Sequence, residues 1–324
     1  MKKRALITGI SGQDGSYLSE YLLSINYEVF GIVRRNSTPE HQESRISHLE
    51  NKIHTFYADL LDAGSLEQIM SKVLPDEIYN LAAQSHVRIS SDIPQFTCQV
   101  NAIGTLNMLE AYRKICPNAK FYQASSSEMF GISIDDDGFQ RETTIMNPQS
   151  PYGVSKVFAY NMTRHYRRAY NLHVCNGILF NHESPRRASN FISNKIIKGA
   201  LRIKAGLDDF LELGNLDSYR DWGHSKDYVK AMHLILNHEI ADDFVVSTGE
   251  TRSVREMVEH IFSKLDLDYE KYVKINEKYF RPDELKYLKG DCSKLKRTFN
   301  WEPEYTFETM LDEMILTLQK KYDL

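Results

Sequence analysis

Tyr152-Gly153-Val154-Ser155-Lys156 sets a phenol and an ammonium four residues apart, which puts both on one face of a helix. An isolated phenol has a pKa of about 10 and is a poor base at neutral pH. A lysine charge about 5 Å away, at an effective dielectric of about 20, contributes roughly 3 kcal/mol and should lower that pKa by about 2. Upstream, Ser125-Ser126-Ser127-Glu128 supplies hydroxyls and a carboxylate. Ser126 is the choice for holding a hydroxyl under oxidation, with Ser125 and Ser127 as near alternatives, and the phenolate takes its proton. Taken singly, each fragment has an ordinary meaning: Tyr-x-x-x-Lys is common on helices, and a serine-rich turn satisfies strand-end amides.

A second cluster, Thr8-Gly9-Ile10-Ser11-Gly12-Gln13-Asp14-Gly15, follows a β-rich run and opens a helical one. Gly9, Gly12 and Gly15 at this junction permit a tight turn and bring backbone N–H groups, with those of Gln13 and Asp14, up to a dinucleotide pyrophosphate at a helix N-terminus. No Walker-type Lys-Ser/Thr ending is present, which argues against an ATPase. At the end of the second β-rich run, where an acidic residue would bind the ribose of NAD, stand Arg34 and Arg35, suited to a 2′-phosphate. NADP is therefore the expected cofactor. Asp59 and Leu60 after the third β-rich run, then Ala82, Ala83 and Gln84 after the fourth, with Leu81 beside them, are placed to frame the adenine and phosphates.

With a hydride acceptor in reach, Glu128 acquires a task that alcohol oxidation alone does not require. Once a sugar C4 is a ketone, the C5 hydrogen is acidified; a carboxylate can remove it and return a proton to the leaving C6 hydroxyl. Hydride returned to C6 then leaves a 4-keto-6-deoxy sugar, and no external oxidant is consumed.

These groups need a scaffold. Lys3–Thr8, Glu28–Val33, Ile53–Tyr57, Glu77–Leu81, Lys120–Ser125 and Leu172–Phe180 read as strands; Gly15–Asn26, Ser65–Val73, Phe96–Ile115 and Tyr152–Tyr170 read as the helices between them. Repeated βα units predict an α/β fold with a doubly wound parallel sheet and ligands at the strands' carboxyl ends. After Phe180 the rhythm changes, and Asn181 to Arg187 carries no evident element. Residues 1–180, with roughly 217–248 returning to them, are expected to form the nucleotide-binding domain. Residues 181–216 and 249–324 should form a smaller α/β lobe for the substrate, with a cleft between.

The 324 residues are 42% hydrophobic and 26% charged, enough apolar content for a substantial core. Forty Lys and Arg against 44 Asp and Glu leave a net charge of −4, which argues against general binding to nucleic acid or to a membrane surface. No apolar run reaches the roughly 20 residues needed to cross a bilayer, and the basic Met1-Lys2-Lys3-Arg4 start is not followed by a signal-peptide core. The expected compartment is the cytoplasm. Cys98, Cys116, Cys175 and Cys292 show no metal or redox spacing and read as free thiols, and no metal site is expected.

Several stretches together carry a likeness to a known family. These are Leu6-Ile7-Thr8-Gly9 through Gln13-Asp14-Gly15-Ser16-Tyr17-Leu18, Asn80 to Val87, Ser150-Pro151-Tyr152, Gly177 to Arg187, Arg220-Asp221-Trp222-Gly223-His224 and Tyr279-Phe280-Arg281-Pro282. Over nearly its whole length the chain resembles the GDP-mannose 4,6-dehydratase family, within the extended short-chain dehydrogenase/reductase superfamily. That resemblance implies a Rossmann-type domain, tightly held NADP, a GDP-mannose substrate, and catalytic roles for Ser126, Glu128, Tyr152 and Lys156. It implies further that His182 and Arg187 join the cofactor site. Ser85, Asn181, Lys195, Gly214, Arg220, Arg281 and Glu284, with Glu128 and Tyr152, should line the nucleotide-sugar pocket. A homodimer or homotetramer is implied as well, in which the Arg34–His48 loop reaches a neighbour's cofactor and gives Arg35 and Arg45 a second role.

Two departures stand out: Ser126 occupies a position where the family normally has Thr, and the stretch from Ser253 to Tyr279 is shorter than in many relatives. They keep open a GDP-heptose substrate, or a net 4-reductase or epimerase of the same fold. A non-catalytic NADP-binding sensor is the alternative of another class, disfavoured by the retention of Tyr152 and Lys156.

Overall fold

Alternating short β-rich and helical runs become alternating elements in the computed structural model, which describes residues 2–35, 44–280 and 285–322. Strands β1 (Arg4–Thr8), β2 (Glu28–Val33), β3 (Ile53–Tyr57), β4 (Glu77–Asn80), β5 (Lys120–Ser126) and β6 (Val174–Leu179) share one sheet with Asp243–Val246. The order is Asp243–Val246, β6, β5, β4, β1, β2, β3, and every pair is parallel. Chain direction therefore reverses its march across the sheet between β1 and β4, the point where a doubly wound sheet opens a crevice.

Helices cover both faces because parallel neighbours need crossovers. On one face Leu18 and Leu22 of Gln13–Ser24 pack with Met232, Ile235 and Leu236 of Ser225–Asn237. On the other, Leu66, Ile69 and Met70 of Ala63–Val73 meet Met108, Leu109 and Tyr112 of Gly104–Ile115. Truncating two such residues to Ala, at about 2–5 kcal/mol each, would remove most of the roughly 5–15 kcal/mol that holds an ordinary domain together. A separate core joins Ile196, Ile197 and Leu201 of Ile192–Lys204 to Met257 and Ile261 of Val254–Lys264 and Met310, Leu311 and Met314 of Phe307–Tyr322. This second core forms the far wall of the cleft.

The helix that carries the phenol has well-defined ends. Ser150 caps it, accepting from Gly153 N at 3.0 Å, Pro151 fills the first turn, and Asn171 stops it in the left-handed region at φ 52°. The single helix expected over Phe96–Ile115 runs without a break from Pro94 to Ile115, but carries a π turn at Gln99–Ile103 between Pro94–Cys98 and Gly104–Ile115. Asn101 and Gly104, three residues apart, both face inward: Asn101 grips Gln84, and a Cβ on Gly104 would lie 2.7 Å from Leu60 Cβ. Asn181–Glu183, where no element was expected, forms a strand parallel to Trp222–His224. Three residues are too few for an alternation to show. Among the described residues no helix is long and apolar enough to cross a membrane.

Candidate active site

The turn after β1 is shaped by two glycines. Gly9 has φ +70°, and a Cβ there would sit 2.9 Å from Ala82 N; a Cβ on Gly15 would sit 2.4 Å from Gly9 O and 2.6 Å from Ile10 Cα. Gly12 N closes the turn on Gly9 O at 2.9 Å and no side chain caps the helix that follows. Its first amides and dipole are therefore available to an anion. The Gln13 and Asp14 side chains turn into the protein: Ser184 Oγ donates to Gln13 Oε1 at 2.8 Å, and Ser225 Oγ donates to Asp14 Oδ1 at 2.6 Å. His182 presents Nε2 to Asp14 Oδ2 at 2.8 Å and Nδ1 to Phe180 O at 2.8 Å. Both partners only accept, so both ring nitrogens carry protons and His182 is an imidazolium. Burial works against each charge of the pair, but their mutual attraction wins, holding Asp14 well below and His182 above the usual value.

At the carboxyl end of β5, Ser126 Oγ accepts from Glu128 N at 3.2 Å and starts the tight turn Ser127–Met129. That turn holds Glu128 at the strand end, where the residue is 9% exposed and lines the cavity. Lys156 is buried and donates to Ala124 O at 2.8 Å, with its Nζ 5.8 Å from the centre of the Tyr152 ring. The pKa consequence is opposite to the one expected from charge alone. Burial pushes the phenol up to about 12, against the pull of a Ser126 hydrogen bond and with help from the Glu128 charge, and burial draws Lys156 down to about 8. In the buried site, desolvation of both groups outweighs a through-space attraction reckoned for a half-solvated pair.

One cavity of about 1040 Å3 joins all of this. Its wall includes Gly9, Gly12, Gln13, Asp14, Gly15, Arg34, Asp59, Leu60, Leu81 and Ala83 on the nucleotide side, and Ser126, Glu128, Tyr152 and Lys156 at the centre. Ser85, Asn181, His182, Arg187, Lys195, Gly214 and Arg220 complete it. Arg35 is exposed and absent from that wall, so of the two arginines after β2 the structure brings only Arg34 to the cavity. Consecutive side chains of an extended segment point to opposite sides.

The family model for GDP-mannose 4,6 dehydratase matches residues 6–314. The chain belongs to the GDP-mannose 4,6 dehydratase family. It is 48% identical to GDP-mannose 4,6 dehydratase 2 of Arabidopsis thaliana, over 97% of this chain and 86% of that one. To GDP-mannose 4,6 dehydratase of Drosophila melanogaster it is 46% identical, over 97% and 85%. Among solved structures, dTDP-glucose 4,6-dehydratase from Bacillus anthracis, in complex with NAD, superposes with a TM-score of 0.86 at 24% identity, covering 99% of this chain and 98% of that one. At that identity the superposition speaks for the fold.

Across the cavity from the glycine turn, the wall is cationic and aromatic. Lys195 Nζ lies 3.5 Å from the centre of the Tyr279 ring, and burial, then the Lys278 charge, lowers its pKa. Arg187 stacks on Phe191 at 3.6 Å and pairs with Glu183 at 3.1 Å. Arg220 donates to Tyr219 O at 2.8 Å and Leu285 O at 2.7 Å, which fixes the guanidinium in place. Arg281 and Glu284 lie outside the described residues. Arg45 is a wall residue that strand-end reasoning did not select for this chain's own cavity: it donates to Arg186 O at 2.6 Å and Ser11 O at 3.4 Å. Thr8 was also missed. Its hydroxyl accepts from Leu81 N and Ala82 N, each at 3.0 Å, and ties the phosphate turn to β4. A Thr immediately before the first glycine was the available signal.

Proposed function

We propose that the chain converts GDP-mannose to GDP-4-keto-6-deoxymannose with NADP as a resident hydride carrier. One observation carries most of the reading: the Glu128 carboxyl shares a buried wall with Ser126 and Tyr152, where alcohol oxidation alone would need no such group. The cradle suits the cofactor, since Gly9 and Gly15 leave room where any Cβ would collide, and Arg34 offers a cation for a 2′-phosphate. When bound, NADP takes hydride from sugar C4 and gives it back at C6. Ser126 and Tyr152 hold the C4 hydroxyl; burial keeps the Tyr152 phenol above its usual value, so its role as proton acceptor requires the Lys156 ammonium, together with the positive charge that a bound NADP ring would supply, to favour the phenolate. With C4 a carbonyl, Glu128 removes the C5 proton and delivers one to the C6 hydroxyl, which leaves as water.

Lys195 and Arg220 suit the GDP diphosphate, with Ser85 and Asn181 on the sugar side and Gly214 allowing close approach; Arg281 and Glu284 belong to the same proposal. Residues 181–216 and 249–324 supply the substrate lobe in this reading. The proposed assembly is a homodimer or homotetramer, supported by exposed apolar Ile93, Phe96, Ile103, Val154 and Phe158 on neighbouring helices. Four free cysteines suit the reducing cytoplasm proposed for it. The test is incubation with GDP-mannose and no added reductant: the product should weigh roughly 18 mass units less, and deuterium placed at C4 should appear at C6. Glu128→Gln should lower turnover by roughly 10²–10⁴-fold with both ligands still bound. Turnover that survives this change overturns the elimination step.

A further inference from the structure

The peptide unit of Tyr152 is held from outside its own helix. Its N–H belongs to the first turn, whose amides find no partner within the helix. Ser150 serves Gly153, and Tyr152 N donates instead to Ser90 Oγ at 3.2 Å. Ser90 lies in the short helix Val87–Asp92, is fully buried, and passes its own proton to Val87 O at 2.6 Å. Without that hydroxyl the amide of the proposed base would be buried and unsatisfied.

The carbonyl of Tyr152 is engaged too. Ser155 Oγ donates to it at 2.7 Å and accepts from Asn101 Nδ2 at 3.1 Å, while Asn101 also binds both the N–H and the C=O of Gln84. The two supports therefore start at Gln84 and Ser90. Between them lie Ser85, His86, Val87 and Arg88, all of which face the cavity. One segment thus faces the substrate and grips the proposed base on both sides of its Cα.

We infer that Ser90 is a positioning residue: it transmits the placement of the cavity-facing segment 85–88 to Tyr152, so that one stretch sets the distance from phenol to sugar hydroxyl. This rests on the dehydration proposed above. The test compares wild type, Ser90→Ala and Ser90→Thr in steady-state turnover of GDP-mannose, in the pH dependence of kcat, and in NADP content and melting. Ser90→Ala should lower kcat roughly tenfold with KM changed less than about twofold, because small misplacements of a reacting group act on the chemical step. Its acid limb should move to higher pH, as the phenolate loses part of its fixed surroundings. Ser90→Thr, which keeps the hydroxyl, should restore kcat to within about twofold of wild type. The inference is overturned if Ser90→Ala turns over like wild type, if its loss merely follows lost NADP or lowered melting, or if Thr fails to restore it. A wild-type chain inert toward GDP-mannose overturns the proposed reaction itself, and is recognised before any variant is measured.

Discussion

On the nucleotide side of the cleft the surface is prepared by backbone: two glycines that no side chain could replace, a helix N-terminus, and a charged knot of Asp14, His182 and Ser225 beneath it. On the side proposed for the sugar it is assembled from side chains, Lys195, Arg220 and Tyr279, that come from three segments distant in sequence. A backbone cradle cannot change without breaking its neighbours, whereas a side-chain wall can change and leave the fold standing. Such an arrangement suits a cofactor that stays and a substrate that must leave.

The hardest test of this contrast pairs one glycine from each side. Gly15→Ala places its Cβ 2.4 Å from Gly9 O and 2.6 Å from Ile10 Cα, both backbone atoms within the turn. Loss of NADP and a stability cost of about 1–3 kcal/mol are expected, read as cofactor content and melting temperature. Gly214→Ala meets Tyr279 O at 3.0 Å, at the edge of the wall, and should raise KM for GDP-mannose a few-fold with NADP retained. Equal loss of NADP in the two variants would erase the contrast.

Single charges give a smaller and more selective effect. Lys195→Met should weaken GDP-mannose binding roughly tenfold or more while cofactor content holds, as expected for a charged hydrogen bond withdrawn from a diphosphate. Arg34→Asp should shift preference from NADP toward NAD, and Arg35→Asp should shift it little, because only Arg34 reaches the cavity. Measured affinity ratios that change equally for both would place the 2′-phosphate between the two arginines.

The same contrast governs what could be read before the fold was known. Strands β2 and β3 fall on the expected residues, and the glycine turn and the Tyr152–Lys156 pair stand where spacing put them, since each signal is local. The short helix Val87–Asp92 and the π turn inside the expected Phe96–Ile115 helix were not legible: the contacts they make, Ser90 to Tyr152 and Asn101 to Gln84, join residues distant in sequence. The direction of the phenol's pKa was misjudged for a related reason. Burial is a property of the assembled site, and no spacing reports it. Lys195 and Arg220 were named only through family likeness, because a lone cation in a sequence gives no sign of the wall it will join.

Two buried aspartates turn the comparison into a question of pH. Asp14, on the nucleotide side, faces an imidazolium and stays charged, so its contribution is lost only in strong acid. Asp221, between the wall residues Arg220 and Trp222, is fully buried and takes its hydrogen bonds from neutral groups: Thr248 N, Thr248 Oγ1 and Gly249 N, each at 2.8 Å. Burial outweighs those donors and pushes Asp221 up to about 7. A folded-state value above the unfolded one means that the native state binds the extra proton. The stabilisation is then complete below about pH 4 and is lost as pH rises to about 7, an effect on the order of 4 kcal/mol. Asp221→Asn cannot titrate there. It should start less stable than wild type, because its amide sets a donor against Gly249 N, and should close that gap as pH rises from about 5 to about 8. Asp14→Asn leaves His182 buried without its counter-charge and should show its largest deficit in acid, narrowing as pH rises past the ordinary histidine value and the raised His182 of wild type gives up its proton. Melting temperatures of the three proteins across that range decide the matter: a gap for Asp221→Asn that stays constant would mean that Asp221 is already ionised in the fold, and that charged and neutral partners serve a buried carboxylate alike.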